Sequence, residues 1–146
     1  MNVAARPFTV VNKCAAEALG TFALVFAGTG AVVIDAVCGG KITHVGVAIT
    51  FGLVILAMIY AVGDVSGAHF NPAVTAGFWL AGKLPSRDVF PYVISQAVGA
   101  FMASGLLRIM FGTTALLGAT LPAGPWWQSF VLETVLTGML MLVILN

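Results

Sequence analysis

The chain has 146 residues, of which 60% are hydrophobic and only 8% are charged. Soluble domains carry about 25% charged residues, so this composition, with a mean hydropathy of +1.08, excludes an ordinary soluble domain and indicates an integral membrane protein. The net charge of +1 gives no basis for binding nucleic acid, and the composition predicts the lipid bilayer as the main partner.

Four apolar segments are long enough to cross a bilayer as helices, which takes about 20 residues each. Glycine and proline residues typical of turns separate them. The predicted spans are about 14–36, 45–63, 89–111 and 127–145. Lysine and arginine are enriched in cytoplasmic loops, and a cytoplasmic N-terminus places four of the six basic residues inside, namely Arg6, Lys13, Lys83 and Arg87.

The segment 66–75, with the sequence SGAHFNPAVT, follows the second predicted span. Asn71 followed by Pro72 predicts a helix start, because an asparagine side chain caps the first turn and proline fits there without its missing N–H. The helix predicted at about 71–82 has an apolar part, 72–81, that is about 15 Å long at about 1.5 Å per residue. That is half of the hydrocarbon core of about 30 Å.

A half-length helix between full-length spans must begin at membrane depth, either buried in protein or lining a cavity. Asn71 is therefore the leading candidate for a residue that donates to a permeant at the membrane centre. The alternative is that Asn71 is only a helix cap, worth about 1 kcal/mol.

An internal repeat links the first and fourth predicted spans. Glu17, Thr21 and Leu24 recur as Glu133, Thr137 and Leu140 at a constant offset of 116 residues. Carboxylates are rare inside membranes and are usually functional or tightly bonded. The two copies lie on spans that run in opposite directions, which is the inverted repeat found in channels and transporters.

These residues, together with 92–100 (YVISQAVGA) and 128–133 (QSFVLE), resemble the aquaporin, or major intrinsic protein, family. The resemblance implies an all-α membrane protein with an aquaporin-like helical bundle in one domain, 1–146. It has four transmembrane helices, the fourth incomplete, and one re-entrant half-helix. The matched part is the first aquaporin repeat, about 14–111, and the first helix of the second repeat, about 127–146. The second half-helix and the arginine of the outer constriction have no counterpart in this sequence, so the resemblance implies a truncated channel.

The resemblance also assigns candidate site residues. Those expected to line the pore or contact the solute are Asn71, Phe51, Gly67, Ala68 and His69, the last three through a ladder of backbone carbonyls. Pro72 and Ala73 begin the pore half-helix, and the expected buried structural polar residues are Glu17, Glu133 and Gln96.

Three of these assignments have alternatives. Phe51 would otherwise face lipid or the helix bundle. Glu17 and Glu133 would otherwise form a proton relay in a transporter, although we expect both to be buried acceptors for the N–H groups of re-entrant loops, with Glu133 bonded to His69 or its neighbours. His69 is expected to brace the loop, with a titrating switch as the alternative.

The expected function is a passive channel for water, for small uncharged solutes such as glycerol, or for both. It requires no cofactor and no metal, and it is not enzymatic, since the sequence has no paired acid and base, metal cluster or nucleophile motif. By resemblance, the complete protein is a multi-pass protein of the cell membrane and a homo-oligomer, namely a tetramer. The alternative is a non-conducting membrane fragment that only associates with partner chains.

Overall fold

The computed structural model describes residues 8–146, and the described chain is built from helices without a β-strand. In chain order these are α1 (Val10–Val37), α2 (Thr43–Ser66), α3 (Pro72–Leu80), α4 (Ser86–Phe111), a short 3-10 segment (Thr114–Gly118) and α5 (Trp126–Leu145). The all-α fold predicted from the sequence is confirmed.

Four of these helices, α1, α2, α4 and α5, are long and apolar enough to cross a membrane. The four predicted spans are therefore confirmed, with starts one to four residues later than those observed. The largest difference is at α1, where Thr9 and Asn12 form a reciprocal capping box that begins the helix at Val10. A cap of this kind satisfies N–H groups that would otherwise lack partners in the first turn.

The core lies between α1 and α4, which pack along most of their length. Gly99 of α4 permits this contact, because a Cβ atom there would overlap the carbonyl oxygen of Ala18 and lie 3.0 Å from the backbone nitrogen of Phe22. Small residues allow such close approach of helices in lipid, where association depends on packing. α2 also packs on α1 but buries only Ser66, and α5 buries none of its residues.

Asp35, near the end of α1, organises the turn into α2. Its Oδ1 atom accepts hydrogen bonds from the backbone nitrogens of Ile42 at 2.8 Å and Thr43 at 2.9 Å. Ile42, the residue that precedes α2, makes no side-chain cap of that helix. The α1 carboxylate therefore takes over the role of a helix cap from the preceding element.

α3 is the half-length helix that the sequence predicts, with Asn71 as its N-cap and Pro72 as its first residue. Its nine residues span about 14 Å at about 1.5 Å per residue. It ends at Leu80, slightly before the expected 82, because the chain turns there and Gly82 adopts a left-handed conformation with φ of 71°. α3 packs on α4 and touches α5, where Met141 lies against Gly77.

Candidate functional site

The five residues 67–71, which we call the re-entrant loop, join α2 to α3. Gly67, Ala68 and Phe70 all have positive φ, at 90°, 53° and 50°. For residues other than glycine this conformation costs roughly 1–2 kcal/mol and persists only where the surroundings impose it. The loop must therefore be held by contacts outside itself.

Glu17 of α1 supplies those contacts. Its side chain is fully buried, and its Oε1 atom accepts from the hydroxyl of Ser66 at 2.6 Å and from the backbone nitrogen of His69 at 3.0 Å. Its Oε2 atom accepts from the backbone nitrogen of Phe70 at 2.7 Å and from Nε2 of Gln96 at 2.8 Å. Four donors therefore converge on one carboxylate, which is how a buried carboxylate is stabilised in an apolar interior.

Gln96 extends this network from α4 to the half-helix. Its Nε2 atom also donates to the hydroxyl oxygen of Thr75 at 2.9 Å, and Oγ1 of Thr75 lies 3.2 Å from Nδ1 of His69. Thr75 and Gln96 are both buried. Glu17, Gln96, Thr75 and His69 therefore connect α1, α4, α3 and the loop in one continuous set of hydrogen bonds.

His69 is buried by aromatic side chains as well as by this network. Its ring centroid lies 4.3 Å from that of Phe78 and 5.2 Å from that of Tyr92. The hydroxyl of Tyr92 donates to the backbone carbonyl of Ser66 at 2.7 Å. These contacts hold the His69 side chain against α3 and α4. Such an arrangement suits a residue that braces the loop.

Asn71 differs from His69 and Phe70, which are buried, because it is exposed. Its Oδ1 atom accepts from the backbone nitrogen of Ala73 at 2.8 Å, and its backbone oxygen accepts from the nitrogen of Thr75 at 2.9 Å. Because the side-chain oxygen is engaged in capping, the amide group is oriented and its nitrogen is free to donate outward. Pro72 and Ala73 are also exposed, at the start of α3.

A cavity of about 90 Å³ lies beside the loop and is bounded partly by α5. Loop residues Ala68, His69, Phe70 and Asn71 form part of its lining, and the remaining lining residues are apolar: Leu24, Ile55, Ile59, Val74, Leu140 and Ile144.

Phe51 does not line this cavity. Its ring packs over Gly28 of α1, where a Cβ atom would overlap it, and the side chain is partly exposed. The structure thus brings Asn71, Ala68 and His69 together at one cavity and places Phe51 at the α1–α2 contact. A role of Phe51 in a constriction stays a prediction.

The expectation for Glu133 is wrong. Glu133 is exposed, lies in a shallow surface groove with Phe130, Thr134 and Thr137, and has no hydrogen bond to any residue in the range 8–146. The N–H groups of His69 and Phe70 in the re-entrant loop are instead bonded to Glu17. Among the described residues α5 only touches α3 and buries none of its own residues, so Glu133 stays on the surface of the bundle.

Sequence reasoning missed three members of the site, namely Ser66, Thr75 and Tyr92. Ser66 and Thr75 stand at the two ends of the segment 66–75, and Tyr92 lies one turn before Gln96. Hydroxyl groups on the helices on either side of the loop were a usable signal, because the polar groups of a buried loop need hydrogen-bond partners. Within residues 8–146, no group of three His, Cys, Asp or Glu side chains is placed to hold a metal.

Comparison with known proteins places the whole described chain in one sequence family. The family model described as major intrinsic protein matches residues 4–146. The chain is 50% identical to aquaporin NIP1-1 of Zea mays over 92% of its own length and 48% of the relative's. It is 43% identical to aquaporin Z of Photorhabdus laumondii, covering 94% of this chain and 65% of that protein.

Nodulin-26 of Glycine max is 42% identical over 92% of this chain and 50% of its own length. The chain therefore spans about half the length of the plant relatives it matches. The matched half contains the re-entrant loop, the half-helix and every residue bonded to Glu17.

Proposed function

We propose, from the premise that the chain belongs to the major intrinsic protein family, that it forms part of the wall of a passive transmembrane channel. The proposed permeants are water and small uncharged solutes such as glycerol, and no cofactor or chemical step is involved. The observation that carries the proposal is the Asn71 side chain, which is capped through its oxygen and exposed beside the cavity.

The Asn71 amide nitrogen would donate a hydrogen bond to the oxygen of a passing molecule. The start of a helix also carries a partial positive charge of roughly half an elementary charge. This charge lies where Asn71 meets the cavity, so it opposes the passage of cations and protons while leaving neutral molecules unaffected.

The re-entrant loop would supply the complementary acceptors. Within residues 8–146, no donor is bonded to the backbone carbonyls of Gly67, Ala68 or His69. An unsatisfied carbonyl in hydrocarbon costs several kcal/mol, whereas a carbonyl that faces pore water is satisfied by permeant molecules. A water-filled path along the loop therefore accounts for this backbone.

The orientation that we propose has the N-terminus in the cytoplasm of a cell-membrane protein. Nζ of Lys13 lies 3.7 Å from Oδ2 of Asp88, so the starts of α1 and α4 are at the same end of the bundle. Lys83 and Arg87 lie just before Asp88, and the positive-inside rule assigns this basic end to the cytoplasm. We also propose, from family membership, that the complete protein is a homotetramer.

A second candidate function concerns the 146-residue chain by itself. Asn71 and Glu133 are both exposed, and the chain spans half the length of its plant relatives. A wall built from one half-helix leaves the other side of the path open to lipid. On this alternative the isolated chain does not conduct and only associates with further polypeptide.

Water permeability of proteoliposomes, measured by stopped-flow light scattering, tests both proposals. One sample contains the 146-residue chain, and the other contains a chimera that continues it with the C-terminal half of the Zea mays relative. We expect water permeability above that of empty liposomes for the chimera and little or none for the isolated chain. An isotonic glycerol gradient on the same chimera tests the solute.

The decisive variant is Asn71→Asp in the chimera. Aspartate keeps the capping oxygen but replaces the outward donor with an acceptor, so we expect permeability to fall while the protein stays folded. Asn146→Asp makes the same chemical change away from the cavity and serves as the control. A folded chimera without permeability to water or glycerol would refute the channel proposal. Permeability of the isolated chain that Asn71→Asp abolishes would refute the alternative.

A further inference from the structure

The hydrogen bonds that link Gln96, Thr75 and His69 have a definite direction, which follows from the donors and acceptors of each group. Gln96 is the first donor in this series of hydrogen bonds. The two hydrogens of its amide nitrogen are donated to Oε2 of Glu17 at 2.8 Å and to Oγ1 of Thr75 at 2.9 Å. Rotating the amide by 180° would place its oxygen against the Glu17 carboxylate, so the nitrogen must face Glu17.

Thr75 is the next step. Its hydroxyl oxygen accepts from Gln96, which leaves one hydroxyl hydrogen to be placed. The side chain is fully buried, and within the described residues the only other polar atom within bonding distance of Oγ1 is Nδ1 of His69 at 3.2 Å. Leaving a buried hydroxyl hydrogen without an acceptor costs roughly 1–3 kcal/mol, so the Thr75 hydroxyl donates to Nδ1.

His69 therefore accepts at Nδ1. A ring nitrogen that accepts has no proton, and a neutral imidazole then carries its proton on Nε2. The charged Glu17 carboxylate favours the imidazolium form, while burial beside Phe78 and Tyr92 favours the neutral form. The Thr75 hydroxyl adds to the second influence, because it can donate only to an unprotonated Nδ1.

We propose that Gln96 is a positioning residue that sets the tautomer of His69 through Thr75, and thereby keeps the re-entrant loop uncharged. Gln96 on α4 orients the hydroxyl of Thr75 on the half-helix, and this hydroxyl in turn sets the protonation of His69 in the loop. This assignment depends on hydrogen-bond geometry alone. Only its consequence for permeation, an uncharged loop next to Asn71, rests on the proposed function.

The proposal makes a specific prediction about Gln96→Glu. A glutamate beside the Glu17 carboxylate must carry a proton. The oxygen in the position of Nε2 donates this proton to Glu17, and the same oxygen then accepts from the Thr75 hydroxyl. With its hydroxyl hydrogen turned towards position 96, the Thr75 oxygen becomes an acceptor for Nδ1–H of His69. The direction of every bond after Glu17 is reversed, and the proton of His69 moves from Nε2 to Nδ1.

The test uses ¹⁵N-histidine labelling of the whole chain in lipid nanodiscs and two-bond ¹H–¹⁵N correlation spectra near neutral pH. The chain has two histidines, and the exposed His44 is an internal reference. We expect a neutral His69 with an unprotonated Nδ1 in the wild type. In Gln96→Glu the His69 signals should show a protonated Nδ1 and an unprotonated Nε2, the reverse of the wild type. In Thr75→Val they should show a mixture of both tautomers.

Two matched controls separate this effect from a general loss of structure. Gln128→Glu makes the same change on the exposed start of α5. Thr50→Val removes a hydroxyl that bonds only to the carbonyl of Gly46 in its own helix. Both should leave the His69 signals unchanged. The double variant Gln96→Glu with Thr75→Val should match Thr75→Val alone, because Gln96 acts only through Thr75.

A wild-type His69 that is protonated on Nδ1 would overturn the proposal, and this measurement needs no variant to fold. A folded Gln96→Glu protein with the wild-type His69 spectrum would overturn the role of Gln96. A double variant that still shows the exchanged signals would overturn the role of Thr75. Because none of these spectra requires conduction, failure of the channel proposal would leave them unaffected.

Discussion

The two copies of the Glu-x-x-x-Thr repeat occupy opposite environments. Glu17 on α1 is fully buried and accepts four hydrogen bonds, whereas Glu133 on α5 is exposed and accepts none within residues 8–146. The helices themselves differ in the same way, since α1 lies at the centre of the bundle and α5 at its edge.

The difference shows that the carboxylate alone does not make the site. Each of the four bonds to Glu17 comes from a residue at least 49 positions later in the chain, and three of them come from Ser66 and the re-entrant loop. A second loop of the same kind, facing α5, would be required to give Glu133 the same environment. The buried acceptor is therefore a product of tertiary structure, and the repeat only marks where such a loop can bind.

The largest effect is expected for Glu17→Ala. It leaves two backbone N–H groups and the Ser66 hydroxyl without their acceptor, at roughly 1–3 kcal/mol for each buried group, and it removes one of the two acceptors of the Gln96 amide. We expect the free energy of unfolding in mixed micelles, measured by titration with a denaturing detergent, to fall by about 3 kcal/mol or more.

Glu133→Ala is the matched control, and its effect should stay within about 0.5 kcal/mol, as for other surface positions. Equal losses from the two substitutions would contradict the comparison, because they would mean that Glu133 is also bonded in the folded protein.

An intermediate loss of stability is expected for Gly99→Ala, which tests the close backbone contact between α4 and α1. The added Cβ would overlap the Ala18 carbonyl, and overpacking of this kind costs roughly 1–3 kcal/mol. Gly138→Ala makes the same change on α5, where a Cβ atom meets nothing within 4 Å. It should be neutral or should stabilise the helix by up to about 1 kcal/mol. The same detergent titration measures both, and a destabilised Gly138→Ala would show that α5 is packed more tightly than described.

The smallest effect is expected for Asp35→Ala. It removes the acceptor for the N–H groups of Ile42 and Thr43 and should cost about 1 kcal/mol, as the loss of other helix caps does. Asp64→Ala, at an exposed carboxylate with no recorded bond in the described part of the chain, should leave stability unchanged. Faster amide hydrogen exchange confined to the first turn of α2 would locate the loss. Exchange that rises throughout the bundle would show that Asp35 has a wider role.

Much of the fold could be predicted because it depends on local properties. Apolar length fixes the four spans, and the Asn71-Pro72 pair fixes the start of α3. The predicted end of α3, at residue 82, is two residues later than the observed end at Leu80. The end depends on how Gly82 turns the chain.

The site was predicted less completely, for a physical reason. Glu17 and Gln96 are 79 residues apart, and no sequence period brings them together. The burial of Glu133 was inferred by symmetry with Glu17, although burial needs a donor-bearing partner that α5 does not face. The αL conformations of Ala68 and Phe70 could not be predicted from the sequence either, because neither residue type favours positive φ.

The distance along the chain between Glu17 and its donors also affects the order of events during biosynthesis. At about 5–20 residues per second, Gln96 emerges from the ribosome roughly 4 to 16 seconds after Glu17. Throughout this time α1 has a carboxylate without its partners, and an acidic residue at the centre of a membrane helix costs about 3 kcal/mol to insert. The first helix therefore reaches its final stability only when the loop, α3 and α4 have been synthesised. Membrane integration and folding of this half are thus expected to finish together, as a single late step.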